Sequence, residues 1–167
     1  STRDWSSDVC SSDLDGCEGV EVPVERVWRV LEGPLPDRLL PSLEAAWTER
    51  IVAAWARGRT PVLHTSRGEV RGRRDRERCA LGQALASSMA RVAAALAPRL
   101  GYCISKGGTT TQTLLAEGLG LNWVALRGQL LPGLSLVTPP DDPQAPGAAT
   151  GGGAPGVAGL PVVTFPG

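Results

Sequence analysis

Between the apolar residues Tyr102–Ile104 and a helix-like run ending at Glu117, the sequence reads Ser-Lys-Gly-Gly-Thr-Thr-Thr, residues 105–111. A turn that feeds a helix N-terminus leaves several backbone N–H groups unpaired, at the positive end of the helix dipole. Anions bind there. Gly107 and Gly108 let phosphate oxygens approach the backbone with no Cβ in the way, while Thr109, Thr110 and Thr111 add hydroxyl donors and Lys106 a positive charge. The pattern is not a P-loop, because the lysine precedes the glycines, and it is not the Gly-x-Gly-x-x-Gly of a dinucleotide turn. A plain βα turn, with Thr109 or Thr110 as N-cap, explains the same residues without any ligand. The residues alone leave these two readings balanced.

Other polar positions are weaker candidates. Thr65, Ser66 and Arg67 end an apolar stretch and suit a ribose or phosphate, although such residues also form ordinary turns. His64, the only histidine, has no carboxylate or serine pattern around it and reads as a strand residue rather than a general base. Cys10, Cys17, Cys79 and Cys103 show no Cys-x-x-Cys spacing, which argues against structural zinc and makes Cys79 and Cys103 small core residues. The basic cluster Arg71–Arg78 is broken by Asp75 and Glu77 and reads as a solvated turn and helix start. With a net charge of zero, nothing points to a nucleic-acid partner. No run of eighteen apolar residues and no signal-peptide pattern is visible, so membrane insertion and export are not expected and the cytoplasm is the default compartment.

At 167 residues the chain suits one domain. Residues 1–14, STRDWSSDVCSSDL, lack periodicity and resemble a translated sequencing adapter, leaving 15–167 as the protein proper and, on this reading, a fragment. Val20, Val22 and Val24 alternate with polar residues as in a half-buried strand, with Pro23 marking an edge or bulge. Leu43, Ala46, Trp47, Ile51, Ala54 and Trp55 predict an amphipathic helix capped by Ser42 and stopped at Gly58. A short apolar strand follows in TPVLHTSRG, ending in polar residues. A long helix then carries Leu81, Leu85, Met89, Val92 and Leu96 on one face, ahead of the strand before the glycine turn. Two more strands, NWVALRG and LSLVTP, are joined by QLLPG, and residues 139–159 are rich in Pro and Gly and predict a mobile loop before a last strand in LPVVTFPG. This alternation predicts an α/β fold, a mostly parallel or mixed sheet with helices on its faces. Function in such sheets sits at the carboxyl ends of strands, here 65–68, 105–110 and 165–167.

Taken together, LHTSRG, a long helix, YCISKGGTTTQTLLAEGLGLNWVALRGQLLPGLSLV and LPVVTFPG resemble, in this order, the C-terminal nucleotide-binding domain of the four-carbon acid sugar kinases. The resemblance covers about residues 19–167. It implies ATP and Mg²⁺ as cofactors, with Ser66, Gly107, Gly108, Thr109, Thr110 and Gly167 as ATP contacts and no assignable catalytic base. It implies phosphorylation of a tetronate or oxo-tetronate (threonate, erythronate, 3-oxo-tetronate), a small-molecule sugar acid held mainly by an N-terminal domain that this chain lacks. The fragment alone is then expected to be inactive, and a homo-oligomer is compatible with the reading. Many relatives carry Glu or Ile at the position of Thr109, and the usual glycine loop after Phe165-Pro166-Gly167 is absent. A competing expectation is a non-catalytic interaction or oligomerisation module presenting Trp28, Trp47 and Trp55 on the first strand and helix. A dehydrogenase domain would need the missing dinucleotide fingerprint.

Overall fold

The computed structural model of the chain describes residues 15–67, 75–141 and 157–165. The adapter-like residues 1–14 therefore lie outside the described residues, as do most of the Pro/Gly-rich loop and Gly167. The chain forms two compact units, Ser1–Gly72 and Arg73–Gly167.

In the first unit, β1 (Cys17–Val22) and β2 (Thr60–Thr65) pair in parallel, in a register that runs from Cys17 opposite Thr60 to Val22 opposite Thr65. Val20 and Val22 are fully buried, as their alternation requires. The third member of that alternation, Val24, is not in the strand. Pro23 ends β1 and becomes the N-cap of a helix α1 (Val24–Glu32), its carbonyl accepting from the N–H groups of Arg26 and Val27 at 3.1 Å. A proline with its ring-fixed φ is a natural residue for this junction. Helix α2 (Pro36–Ala56) starts earlier than the sequence suggests, with Pro36 in its first turn, where a missing N–H costs nothing. Ser42 is consequently inside the helix, its hydroxyl donating back to the carbonyl of Arg38 at 3.1 Å rather than capping. Leu43, Trp47, Ile51 and Ala54 form its buried stripe, and Gly58, at φ +69°, stops it.

The second unit begins with α3 (Asp75–Leu96), whose buried stripe includes Leu81, Leu85, Val92 and Leu96, with Met89 half-buried. Asp75 and Glu77 lie in its first turn, where the dipole favours them, and Arg78 pairs with Asp75. A 3₁₀ turn (Ala97–Arg99) leads to β3 (Cys103–Lys106), then α4 (Gly108–Thr113), which runs into a π turn (Leu114–Gly118). Strands β4 (Ala125–Leu131) and β5 (Leu134–Thr138) make a hairpin about Pro132 and Gly133, so Gln129–Leu131 belong to a strand rather than to the connection. The last strand is β6 (Val162–Phe165).

The second unit's sheet has the order β3-β6-β5-β4: β6 is parallel to β3 and antiparallel to β5, which is antiparallel to β4. The fold is α/β, with one parallel pair in the first unit and a mixed sheet in the second. Ala97, Leu114, Leu119, Leu121, Val137, Val157, Leu160 and Val162 make the second unit's core. Val157, within the segment expected to be a mobile loop, is part of that core.

Helix α3 and the turn after it, Asp75–Arg99, contain a window of mean hydropathy 1.3, the one membrane-length apolar helix among the described residues. Arg91 lies inside every eighteen-residue window of that segment, and the stripe from Leu81 to Leu96 is buried in the unit. A core helix accounts for both features.

Close packing on α3 occurs at Gly118, where a Cβ would lie 2.8 Å from the backbone oxygen of Ala90 and 3.2 Å from its Cβ. A side chain there forces two helical segments apart. Gly118→Ala should destabilise the chain by about 1–3 kcal/mol. Gly82→Ala, in open space on α3, should stabilise it by roughly 0.5–1 kcal/mol. Denaturant unfolding of the two variants tests the contrast.

Candidate functional site

At the glycine turn the chain leaves a sheet and enters a helix within one residue. Gly107 adopts φ +94° and ψ 137°, a conformation closed to residues with a Cβ, and serves as the N-cap of α4. Its N–H donates to the carbonyl of Phe165 at 3.0 Å, extending the β3–β6 ladder, and its carbonyl accepts from Thr111 N–H at 2.9 Å, starting the helix. Both backbone groups of Gly107 are thus used internally. No side chain caps α4, so the threonine cap of the plain-turn reading is not made. The N–H groups of Gly108, Thr109 and Thr110 occupy the first helical positions, which have no intrahelical acceptors.

The surroundings suit an anion. Gly108 and Thr109 are exposed, Thr110 is half-buried, and a Cβ at Gly108 would meet nothing within 4 Å. The Thr111 hydroxyl lies 2.9 Å from that of Ser105, which is buried on β3. That pair ties the helix to the strand. Lys106 points its ammonium over the ring of Phe165, 5.6 Å from the centroid, across the register pair Lys106–Phe165. An exposed contact of this kind is worth about 0.5–1 kcal/mol, little enough for the lysine to leave it for a better partner.

Ser66 lies in the first unit, just past β2. Its N–H donates to the carbonyl of Val22 at 2.9 Å and its hydroxyl oxygen accepts from Val24 N–H at 2.9 Å. Ser66 therefore closes the start of α1, and its O–H hydrogen is left for another acceptor. His64 Nδ1 lies 3.2 Å from the carbonyl of Thr65, the neighbouring residue. The structure brings Gly107–Thr110 to the end of β6 at Phe165, while Gly167, two residues further, lies outside the described residues. Among the described residues there is no group of three or more His, Cys, Asp or Glu side chains that could hold a metal ion.

Cys79 is exposed on α3, not in the core, whereas Cys103 is half-buried on β3 against the core. Burial pushes the Cys103 thiol up from its ordinary range.

The family model for a nucleotide-binding C-terminal domain matches residues 36–167. The chain belongs to this family. The match bears out the resemblance to a C-terminal nucleotide-binding domain carried by the LHTSRG, SKGGTTT and LPVVTFPG segments. Among solved structures it is similar to a domain of unknown function (DUF1537) from Bordetella bronchiseptica, a domain-swapped dimer with bound citrate, in two crystal forms. For one form the TM-score is 0.56 at 23% identity over 90% of this chain, and for the other 0.50 at 21%, also over 90%. The chain spans only 31% and 29% of those two chains. No curated protein matches it.

Two side-chain features escaped the sequence reading: the Ser105–Thr111 pair and the Lys106–Phe165 contact. The first joins residues six apart across a turn, and the second joins strands far apart in the chain, so neither leaves a periodic trace. Alkylation followed by peptide mapping should modify Cys79 at least about tenfold faster than Cys103, because the thiolate is the reactive form and burial disfavours it. Equal rates would show that β3 is open to solvent.

Proposed function

We propose that this chain is the ATP-binding C-terminal domain of a kinase that phosphorylates four-carbon acid sugars, tetronates or oxo-tetronates such as threonate, erythronate and 3-oxo-tetronate. The observation that carries the reading is the Gly107 geometry, which leaves three consecutive uncapped N–H groups beside an unobstructed Gly108. ATP would be held at its phosphates by the N–H groups of Gly108, Thr109 and Thr110, with Lys106 turning from Phe165 to the negative charge. Bound Mg-ATP supplies the transferable phosphoryl group and a metal that shares its charge. The chain's own residues contribute position and fixed donors, which is most of what phosphoryl transfer asks of a protein. The sugar acid and the catalytic base are assigned to an N-terminal domain of the longer protein, so this chain alone should bind nucleotide and not turn it over. The cytoplasm, where ATP is abundant, is the compartment this reading implies.

A second reading, an oligomerisation module, is favoured by a different observation. Ile104, Trp123 and Leu126 are 63%, 62% and 69% exposed, together with Tyr102, Leu130 and Leu131. The tryptophans expected to form such a face do not: Trp47 is buried, and Trp28, on α1 rather than on a strand, is half-buried like Trp55. The Bordetella protein is a domain-swapped dimer, which supports a homo-oligomer for this chain too.

Calorimetric titration of the chain with Mg-ATP, with NAD as comparison, separates the two. Saturable Mg-ATP binding is expected, weakened at least about tenfold by Gly108→Val through loss of phosphate approach. Lys106→Met should weaken it about threefold to tenfold and reduce its dependence on salt. Gly108 has open space around it, so a loss of binding there with an unchanged unfolding midpoint reports on the cradle and not on the fold. A folded chain that self-associates and ignores ATP would instead support the module.

A further inference from the structure

The helical run from Gly108 to Gly118 is held at its far end by polar groups that the nucleotide reading does not use. Ser87 Oγ on α3 donates to Glu117 Oε2 at 2.7 Å, and Gln83 Nε2 donates to Glu117 Oε1 and to Thr113 Oγ1, both at 3.3 Å. Gly118, the next residue, presses its backbone against Ala90. Apolar contacts such as that of Leu114 hold the run against the core but are not directional. Hydrogen bonds are, and along this run those of the described residues are made near the start by Thr111 with Ser105, midway by Thr113 with Gln83, and at the end by Glu117 with Ser87 and Gln83.

The lever is long enough to matter. Ten helical residues span about 15 Å, so a tilt of about 5° at Glu117 moves the glycine end by about 1 Å. A displacement of that size is enough to spoil a bound geometry. We infer that Glu117, clamped by Ser87 and Gln83, is a positioning residue that aims the N–H groups of Gly108–Thr110. The part concerning nucleotide rests on the phosphate reading of that turn; the aiming of the turn does not. Charge alone predicts the opposite of positioning. A carboxylate lying more than a Debye length from a bound phosphate repels it weakly, so losing its charge would leave ATP binding unchanged or slightly tighter.

The test compares Glu117→Ala with Glu117→Gln in the full chain, using ¹⁵N amide spectra without ligand and Mg-ATP titration. Gln loses the charge but keeps the length and can still bond both α3 side chains. Glu117→Ala should shift the amide resonances of Gly107, Gly108 and Thr109 and weaken Mg-ATP binding about tenfold, the scale of one charge-assisted hydrogen bond. Glu117→Gln should keep the turn resonances near the parent's and bind within about twofold of it. Ser87→Ala, which breaks the 2.7 Å bond without touching the turn's own helix, should shift the same resonances in the same direction and covers the case in which Glu117→Ala fails to fold. Turn resonances unmoved in Glu117→Ala or Ser87→Ala, or a Gln variant as impaired as Ala, overturn the inference. If the folded parent binds no Mg-ATP, the phosphate reading falls, and the ligand-free spectra still decide whether Glu117 aims the turn.

Discussion

A chain that leaves a β ladder and enters a helix within a single residue must pass through backbone angles that a Cβ forbids, and Gly107 does so at φ +94°. Much of the second unit follows from this. The Gly107 N–H is spent on Phe165 and its carbonyl on Thr111, so the turn is pinned on both sides by backbone. The unpaired donors are thereby pushed one residue on, to Gly108–Thr110, where nothing in the helix can accept from them. A turn with a looser junction would share those N–H groups with its own loop. Here the sheet and the helix each take one bond from Gly107 and leave the next three groups without an acceptor in the helix.

The mixed sheet serves the same junction. Strand β6 is distant from β3 in sequence yet lies beside it in parallel, so both strands end at the same edge. That brings Phe165 and Lys106 together at the turn, with the aromatic face offering the ammonium a weak resting place. On the other side of β6, the antiparallel β5 and its hairpin partner β4 are joined by a short local turn. Val157 and Leu160, just before β6, are buried in the core, and this anchorage fixes where the last strand begins after a long Pro- and Gly-rich stretch.

The elements most legible in the sequence are those whose pattern has one period only. Helix α3, with its stripe from Leu81 to Leu96, and β2, bounded by Gly58 and the Ser66-Arg67 pair, lie where the sequence places them. The start of the chain was harder because two periods overlap. Val20, Val22 and Val24 fit a strand, while Val24, Val27, Trp28 and Leu31 fit a helix face, and Val24 belongs to both. Pro23 decides between them, as a strand stop rather than a bulge within a longer strand. Ser42 looked like a cap because it precedes the first stripe residue, but α2 begins at Pro36, with Leu35 at the N-cap position. For the site, the glycine turn was legible because φ > 0 and an uncapped helix start demand particular residue types. The bonds that orient it, from Ser87 and Gln83 to Glu117 and from Ser105 to Thr111, depend on packing between elements and have no sequence signature.

On the proposed function the phosphate cradle is built of backbone N–H groups, and donors of this kind are present whatever side chain stands at position 109. The side chains that matter are those that keep the helix pointed, and they are a turn or more away. By the same logic the cradle recognises phosphate and little else: every nucleoside triphosphate presents it with the same oxygens. Discrimination between acceptors comes from groups that touch the acceptor, which a cradle for phosphate oxygens does not.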